Sequence, residues 1–121
     1  MASRIEDYAI IGDCETVALV SRDGSIDWLC WPHFASPACF ASLVGTEDNG
    51  RWLLSPAGTY KSTRRYLEPS LVLETRFVTG EGSVAVLDFM PIGSRDSRVV
   101  RLVQGLSGQV KMRMELRLRF G

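Results

Sequence analysis

Between Gln109 and Phe120 the chain alternates apolar and polar residues without a break: Val110, Met112, Met114, Leu116, Leu118 and Phe120 against Gln109, Lys111, Arg113, Glu115, Arg117 and Arg119. A period of two is the repeat of extended backbone, whose successive side chains point to opposite faces, and it does not fit an amphipathic helix. The apolar set therefore shares one face. At about 3.4 Å per residue the segment predicts a strand roughly 40 Å long.

The same period governs everything from residue 71 onward, so the pattern is all-β there. Arg98–Gln104 (RVVRLVQ) precedes Gly105-Leu106-Ser107-Gly108, a connection with glycine at both ends that predicts a hairpin pairing this segment antiparallel with 109–120. Leu71–Thr79 and Ser83–Met90 form a second hairpin candidate around Thr79-Gly80-Glu81-Gly82. Ser83–Met90 (SVAVLDFM) is apolar at nearly every position, which predicts cover on both faces. Thr16–Ser21 and Ser25–Trp31 flank Arg22-Asp23-Gly24, and Asp-Gly is a strong hairpin signal. Pro32 ends that second strand, because it lacks the N–H that a ladder needs. Arg51–Ser55 and Tyr60–Tyr66 read as further short strands, the latter at an edge or near solvent. Ser36 as N-cap and Pro37 at the first helical position predict one short helix near 37–44, with Phe40, Leu43 and Val44 turned inward.

A chain of 121 residues with 45% apolar and 23% charged side chains is expected to be a single globular domain, and not a disordered one. No apolar run approaches the roughly 20 residues of a membrane-spanning helix. Glu6 and Asp7 interrupt the stretch that a secretion signal would need. Cys14, Cys30 and Cys39 are odd in number and form no CxxC pair, which predicts buried free thiols in a reducing cytoplasm. Formal net charge is zero, but residues 1–93 hold 7 basic and 12 acidic side chains (net −5) and residues 94–121 hold 7 and 2 (net +5).

The acidic pairs Asp13/Glu15 and Asp23/Asp27 have the proximity that glycosidic hydrolysis asks of two carboxyls, yet their places in and beside turns point to turn-forming roles. A single imidazole, His33, excludes a His-based metal cluster. No phosphate-cradling glycine motif is present. Trp31 and Phe34, beside prolines, read as exposed. Trp28, in a strand, reads as core. The basic stripe Lys111, Arg113, Arg117 and Arg119 has no aromatics on its own face to stack on bases, and is read as a solvated or partner-covered sheet face.

The run IEDYAIIGDCETVALVSRDGSIDWLCWPHFASPACFASLVG, followed by NGRWLLSPAG, RRYLEPSLVLETRF, LDFMPIG and VVRLVQGLSG, closely resembles the N-terminal region of bacterial family-15 glycoside hydrolases, the glucoamylase and trehalase-like proteins. The likeness covers essentially the whole chain. It implies an antiparallel β-sandwich, part of a larger supersandwich, that precedes a helical (α/α) barrel carrying both catalytic glutamates. Nothing in the sequence resembles the barrel. The resemblance thus implies that 1–121 is a single domain forming the first part of that sandwich. Its parent would remove glucose units from α-glucans, or split trehalose, with inversion.

The loop that commonly reads PRFDSP in these proteins is Pro32-His33-Phe34-Ala35-Ser36-Pro37 here, without the Arg and the Asp. Our expectation is that the segment Trp31–Pro37, with His33, Phe34 and Ser36, faces the barrel and helps close the sugar pocket, and that Asp27 supports it. No catalytic residue, cofactor or metal is expected in this chain, nor a nucleic-acid or membrane partner. The expected partners are the barrel, an α-glucan or trehalose, and a second copy paired through an exposed strand edge. The other reading is a stand-alone carbohydrate-binding module that stacks sugars on Trp31, Phe34 or Trp52. A small nucleic-acid binder is a third.

Overall fold

The computed structural model describes residues 7–13, 16–30, 38–40, 50–68, 70–91 and 98–118. These hold ten strands: β1 (Tyr8–Gly12), β2 (Val17–Ser21), β3 (Ser25–Cys30), β4 (Ala38–Phe40), β5 (Arg51–Pro56), β6 (Lys61–Leu67), β7 (Val72–Val78), β8 (Gly82–Phe89), β9 (Val100–Gly108) and β10 (Met112–Arg117). One antiparallel sheet runs β1-β2-β3-β5-β10 with β4 on β3, and the other runs β6-β7-β8-β9. The two form the sandwich-like, all-β arrangement expected. No helix among the described residues is long and apolar enough to cross a membrane.

Local chemistry placed two hairpins correctly. Gly24 takes a positive φ of 82° in the β2–β3 turn, as the Asp-Gly signal requires. That glycine does more than turn the chain. A Cβ on it would lie 2.3 Å from the Leu54 carbonyl oxygen, because β5 runs against the turn and Leu54 N–H donates to Gly24 O at 3.0 Å. Between β7 and β8, Thr79 closes the turn by donating its hydroxyl to Gly82 O at 3.0 Å and accepting from the Gly82 N–H. β6 lies at the sheet edge as expected.

Two expectations fail. The hairpin around Gly105–Gly108 does not form: β9 continues straight through those residues and pairs with β8 from Phe89↔Val100 to Gly82↔Gly108. Gly108 of β9 and Gly82 of β8 serve close approach, since a Cβ on Gly82 would meet Ser107 O at 2.3 Å and one on Gly108 would meet Glu81 O at 2.1 Å. The chain then crosses to the other sheet through Gln109–Lys111. β10 pairs with β5 instead of β9, from Met112↔Pro56 to Arg117↔Arg51. The crossing puts Val110 and Met112 against the buried cluster of Leu54, Phe77, Val84 and Val86, a burial that a β9–β10 hairpin would forgo. The regular strand is accordingly six residues long.

The short helix near 37–44 is the second. Residues 38–40 are extended and pair with β3 (Leu29↔Phe40, Cys30↔Ala38), so strand pairing overrides the capping signal of Ser36 and Pro37. The remainder of that segment lies outside the described residues.

The core spans both sheets. Ile11, Ala18, Val20, Ile26 and Leu29 from the first meet Leu73 and Met90 from the second. Ser83–Met90 buries Val84, Val86, Asp88 and Met90 on one face, while on the other Ala85 is buried and Leu87 and Phe89 are half-buried, so the cover that its sequence predicted on both faces is complete on one only.

Candidate functional site

Among the expected site residues, the structure describes Asp27; Trp31, His33, Phe34 and Ser36 lie outside the described residues. Asp27 sits on β3 where the register with β2 slips, Leu19 facing Trp28 and Val20 facing Ile26, so Asp27 is the extra residue of a β-bulge. Bulges re-aim side chains and bend strands. This one turns the Asp27 carboxylate into a buried position, where Tyr8 Oη donates to Oδ2 at 2.5 Å and Ser25 Oγ donates to Oδ1. The bonds tie β3 to β1 four residues ahead of Trp31. Asp27 is a carboxylate held by two hydroxyls in the fold, which suits support of the following segment and not proton transfer.

Two other described carboxylates of the first half are also committed. Asp13 Oδ1 accepts from Thr16 N–H at 3.0 Å and closes the β1–β2 turn. Asp23 accepts from Tyr60 Oη at 2.9 Å. Burial, then that hydrogen bond and the Asp23 charge, push the Tyr60 hydroxyl up to about 12. Asp13 and Asp23 lie at the turns where the sequence placed them, whereas Asp27 lies on β3 and Glu15 lies outside the described residues.

An ion pair that the sequence reading missed sits at the centre. Asp88 on β8 and Arg101 on β9 face each other in the ladder with side chains 0% exposed. Arg101 Nε donates to Asp88 Oδ1 at 2.7 Å and Nη2 donates to Oδ2 at 3.3 Å. The same guanidinium crosses between the sheets, donating to Trp52 O and to Gly24 O at 2.7 Å each, and lies 5.3 Å from the Trp52 ring centroid. Burial pushes the Asp88 carboxyl above its ordinary value, and the Arg101 charge and hydrogen bonds pull it part of the way back. A signal was present: Asp88 is the one charge in a run otherwise built for burial, and buried charge demands a partner.

This geometry bears on sugar binding. Trp52 packs, partly buried, on the core under Arg101, and its indole N–H is enclosed without a hydrogen-bond partner among the described residues. Trp28 is half-buried. The stripe on β10 is interlocked with Glu115, which accepts from Arg51 Nε at 3.3 Å and Arg113 Nη2 at 3.0 Å and lies 2.9 Å from Arg117 Nε. Hydrogen bonding from Arg51 leads in holding the Glu115 carboxyl below its usual value, against a smaller burial effect. Among the described residues no group of three or more His, Cys, Asp or Glu side chains could hold a metal ion.

A family model described as "Trehalase-like, N-terminal" matches residues 1–121. The chain belongs to the trehalase-like N-terminal family. Its relatives include a trehalase of Mycolicibacterium smegmatis, 40% identical over 90 residues that make up 74% of this chain and 13% of the relative. Trehalase 2 of Sulfolobus acidocaldarius is 34% identical over 71% of the chain and 14% of the relative. A trehalase of Thermoplasma acidophilum is 30% identical over 84% and 19%. This trehalase-like N-terminal chain thus spans less than a fifth of the length of each of these relatives. No solved structure matches it.

Proposed function

We propose that this trehalase-like N-terminal chain is the first, non-catalytic part of the N-terminal β-sandwich of a glycoside hydrolase that acts on an α-glucoside such as trehalose, with inversion, in the cytoplasm. Its task is to pack against and support a catalytic helical barrel carried elsewhere in the polypeptide. The observation that carries this reading is the family match over residues 1–121. The site geometry supports it, because Asp13, Asp23 and Asp27 are each engaged in a structural hydrogen bond. In this reading the segment 31–37, with Trp31, His33, Phe34 and Ser36, faces the barrel and borders the sugar pocket, and the Tyr8–Asp27–Ser25 bonds fix its root.

In the longer enzyme, Trp31→Ala is expected to lower kcat/KM or weaken packing of the barrel. Unchanged kinetics and unchanged thermal stability would refute the barrel-facing role. The 121-residue chain alone is expected to give no heat on calorimetric titration with maltose or trehalose. Saturable heat would instead support the carbohydrate-binding module. The proposal extends to self-association through β9, an edge strand whose residues 102–108 carry no charge to discourage pairing. Sedimentation as a monomer at high concentration would exclude that part.

A further inference from the structure

The two flanks of the sandwich are finished differently. On one, the backbone of Ile10 in edge strand β1 is occupied by a side chain from the opposite sheet: Tyr66 Oη accepts from Ile10 N–H at 3.1 Å and donates to Ile10 O at 2.8 Å. A single phenol takes the pairing groups that an added strand would use. On the other flank, β10 has β5 on one side and no strand on the other among the described residues.

Residues directly opposite in an antiparallel pair lie on the same face, so Met114 and Leu116 share the core-side face with Leu54 and Trp52. Yet Met114 is 63% exposed and Leu116 48% exposed, and Leu118 just beyond is 56% exposed. The core is therefore open along β10. Val103 of β9, whose ladder partner Val86 is in the core, is exposed on the same flank. The outer face has a different chemistry, with residues 111–117 carrying three cations, Lys111, Arg113 and Arg117, against the single carboxylate of Glu115.

We propose that the free edge of β10 accepts an added β-strand whose side chains alternate between apolar and acidic. Main-chain hydrogen bonds to the edge supply attachment, and alternate side chains supply selection. The apolar set covers Met114, Leu116 and Leu118, while the acidic set meets Arg113 and Arg117, which opposite-charge cross-strand pairing favours. Charge decides between occupants. A second copy of β10 would bring its own excess of cations to this edge, whereas an acidic strand neutralises it. The inference does not depend on the enzymatic reading above, since any chain with this edge would show it.

The test uses the 121-residue chain and two labelled synthetic peptides, one alternating Glu and Val, the other Lys and Val. Fluorescence anisotropy at low salt should show the acidic peptide binding at least about tenfold more tightly, with the gap narrowing as salt screens the charges. Hydrogen exchange should show new protection at 112–117 and none at 8–12. Arg113→Glu, at an exposed position, should remove the preference for the acidic peptide, and Met114→Asp should weaken both peptides. Equal affinity for the two peptides, binding of neither, or protection confined to other strands would overturn the proposal. So would protection at 112–117 that appears without peptide and grows with chain concentration, because β10 would then belong to a second copy.

Discussion

Removing the Arg101 guanidinium is the sharpest test of how the two sheets are held together. Its side chain is 0% exposed and makes four hydrogen bonds, two to Asp88 and one each to Trp52 O and Gly24 O. Arg101→Met keeps much of the volume and deletes every one of them. Breaking a buried pair by removing one partner costs about 3–5 kcal/mol, because the remaining charge is left without compensation. The lost donor at Trp52 O adds about 1 kcal/mol, while Gly24 O keeps the Leu54 N–H. The loss is offset in part because Asp88, already pushed upward by burial, takes up a proton, so about 3–5 kcal/mol is the expected total. That is a large share of the ~5–15 kcal/mol that holds an ordinary domain.

Urea unfolding reads this directly. With an m-value of about 2 kcal/mol/M, the midpoint should fall by roughly 1.5–2.5 M. Asp88→Leu combined with Arg101→Met removes both charges and leaves only Trp52 O without its guanidinium donor, so the double variant should recover at least about half of the loss. The pH sign follows from the direction of the Asp88 shift. A carboxyl whose folded value lies above its unfolded value favours the folded state at low pH, and the advantage fades as pH rises through the folded value. Arg101→Met should therefore be less damaging near pH 4 than at pH 7. A midpoint shift under about 0.5 M, or a double variant less stable than the single one, would show that the pair does not anchor the sheets.

Four other outcomes follow. Tyr60, held near 12 in the fold against about 10 when unfolded, adds stability that is complete below pH 10 and lost as pH rises toward 12, so Tyr60→Phe should flatten the alkaline limb of a stability–pH curve. Glu74 and Glu115 shift the opposite way: burial would raise Glu74, but hydrogen bonds from Arg76 and Arg65 outweigh it, and Arg51 leads in lowering Glu115. Stability should fall as pH drops below about 4.3 through their folded values, and Glu115→Gln should shrink that loss in acid titrations followed by circular dichroism. Gly24→Ala should cost about 3 kcal/mol or more, combining a positive φ with a Cβ 2.3 Å from Leu54 O, whereas Gly58→Ala, at φ 96° in open space, should cost only about 1 kcal/mol in the same urea assay. Tyr66→Phe should free the Ile10 backbone, seen as faster amide exchange at Ile10 with little change at β3.

Legibility in the sequence followed the range of the physics. The Asp23-Gly24 turn and the Thr79–Gly82 turn are set by a few neighbouring residues, so their hairpins could be read directly. Gly108 carried the same letter but a different role, since its small size serves the approach of Glu81 and Gly82 and not a reversal of the chain. For the candidate site, Asp27 could be singled out, but the bulge that buries it depends on β2. Tyr8, its hydroxyl donor, gave no sign of that role.

By itself, the sequence determined that this chain builds strands, because period-two patterning leaves each segment one apolar face that only extended backbone can bury. It also determined the charge excess on β10, since alternation collects every cation on one side. The tertiary structure alone decided which edges meet. Strand pairing joins residues far apart in the chain, and the choice of β5 over β9 as partner for β10 rests on burying Val110 and Met112. It decided, too, that Arg101 turns inward to Asp88, Gly24 and Trp52 while Arg113 and Arg117, on an equally alternating strand, stay outside. A charge enters a core only where partners from several strands converge on it, and no local pattern records that convergence.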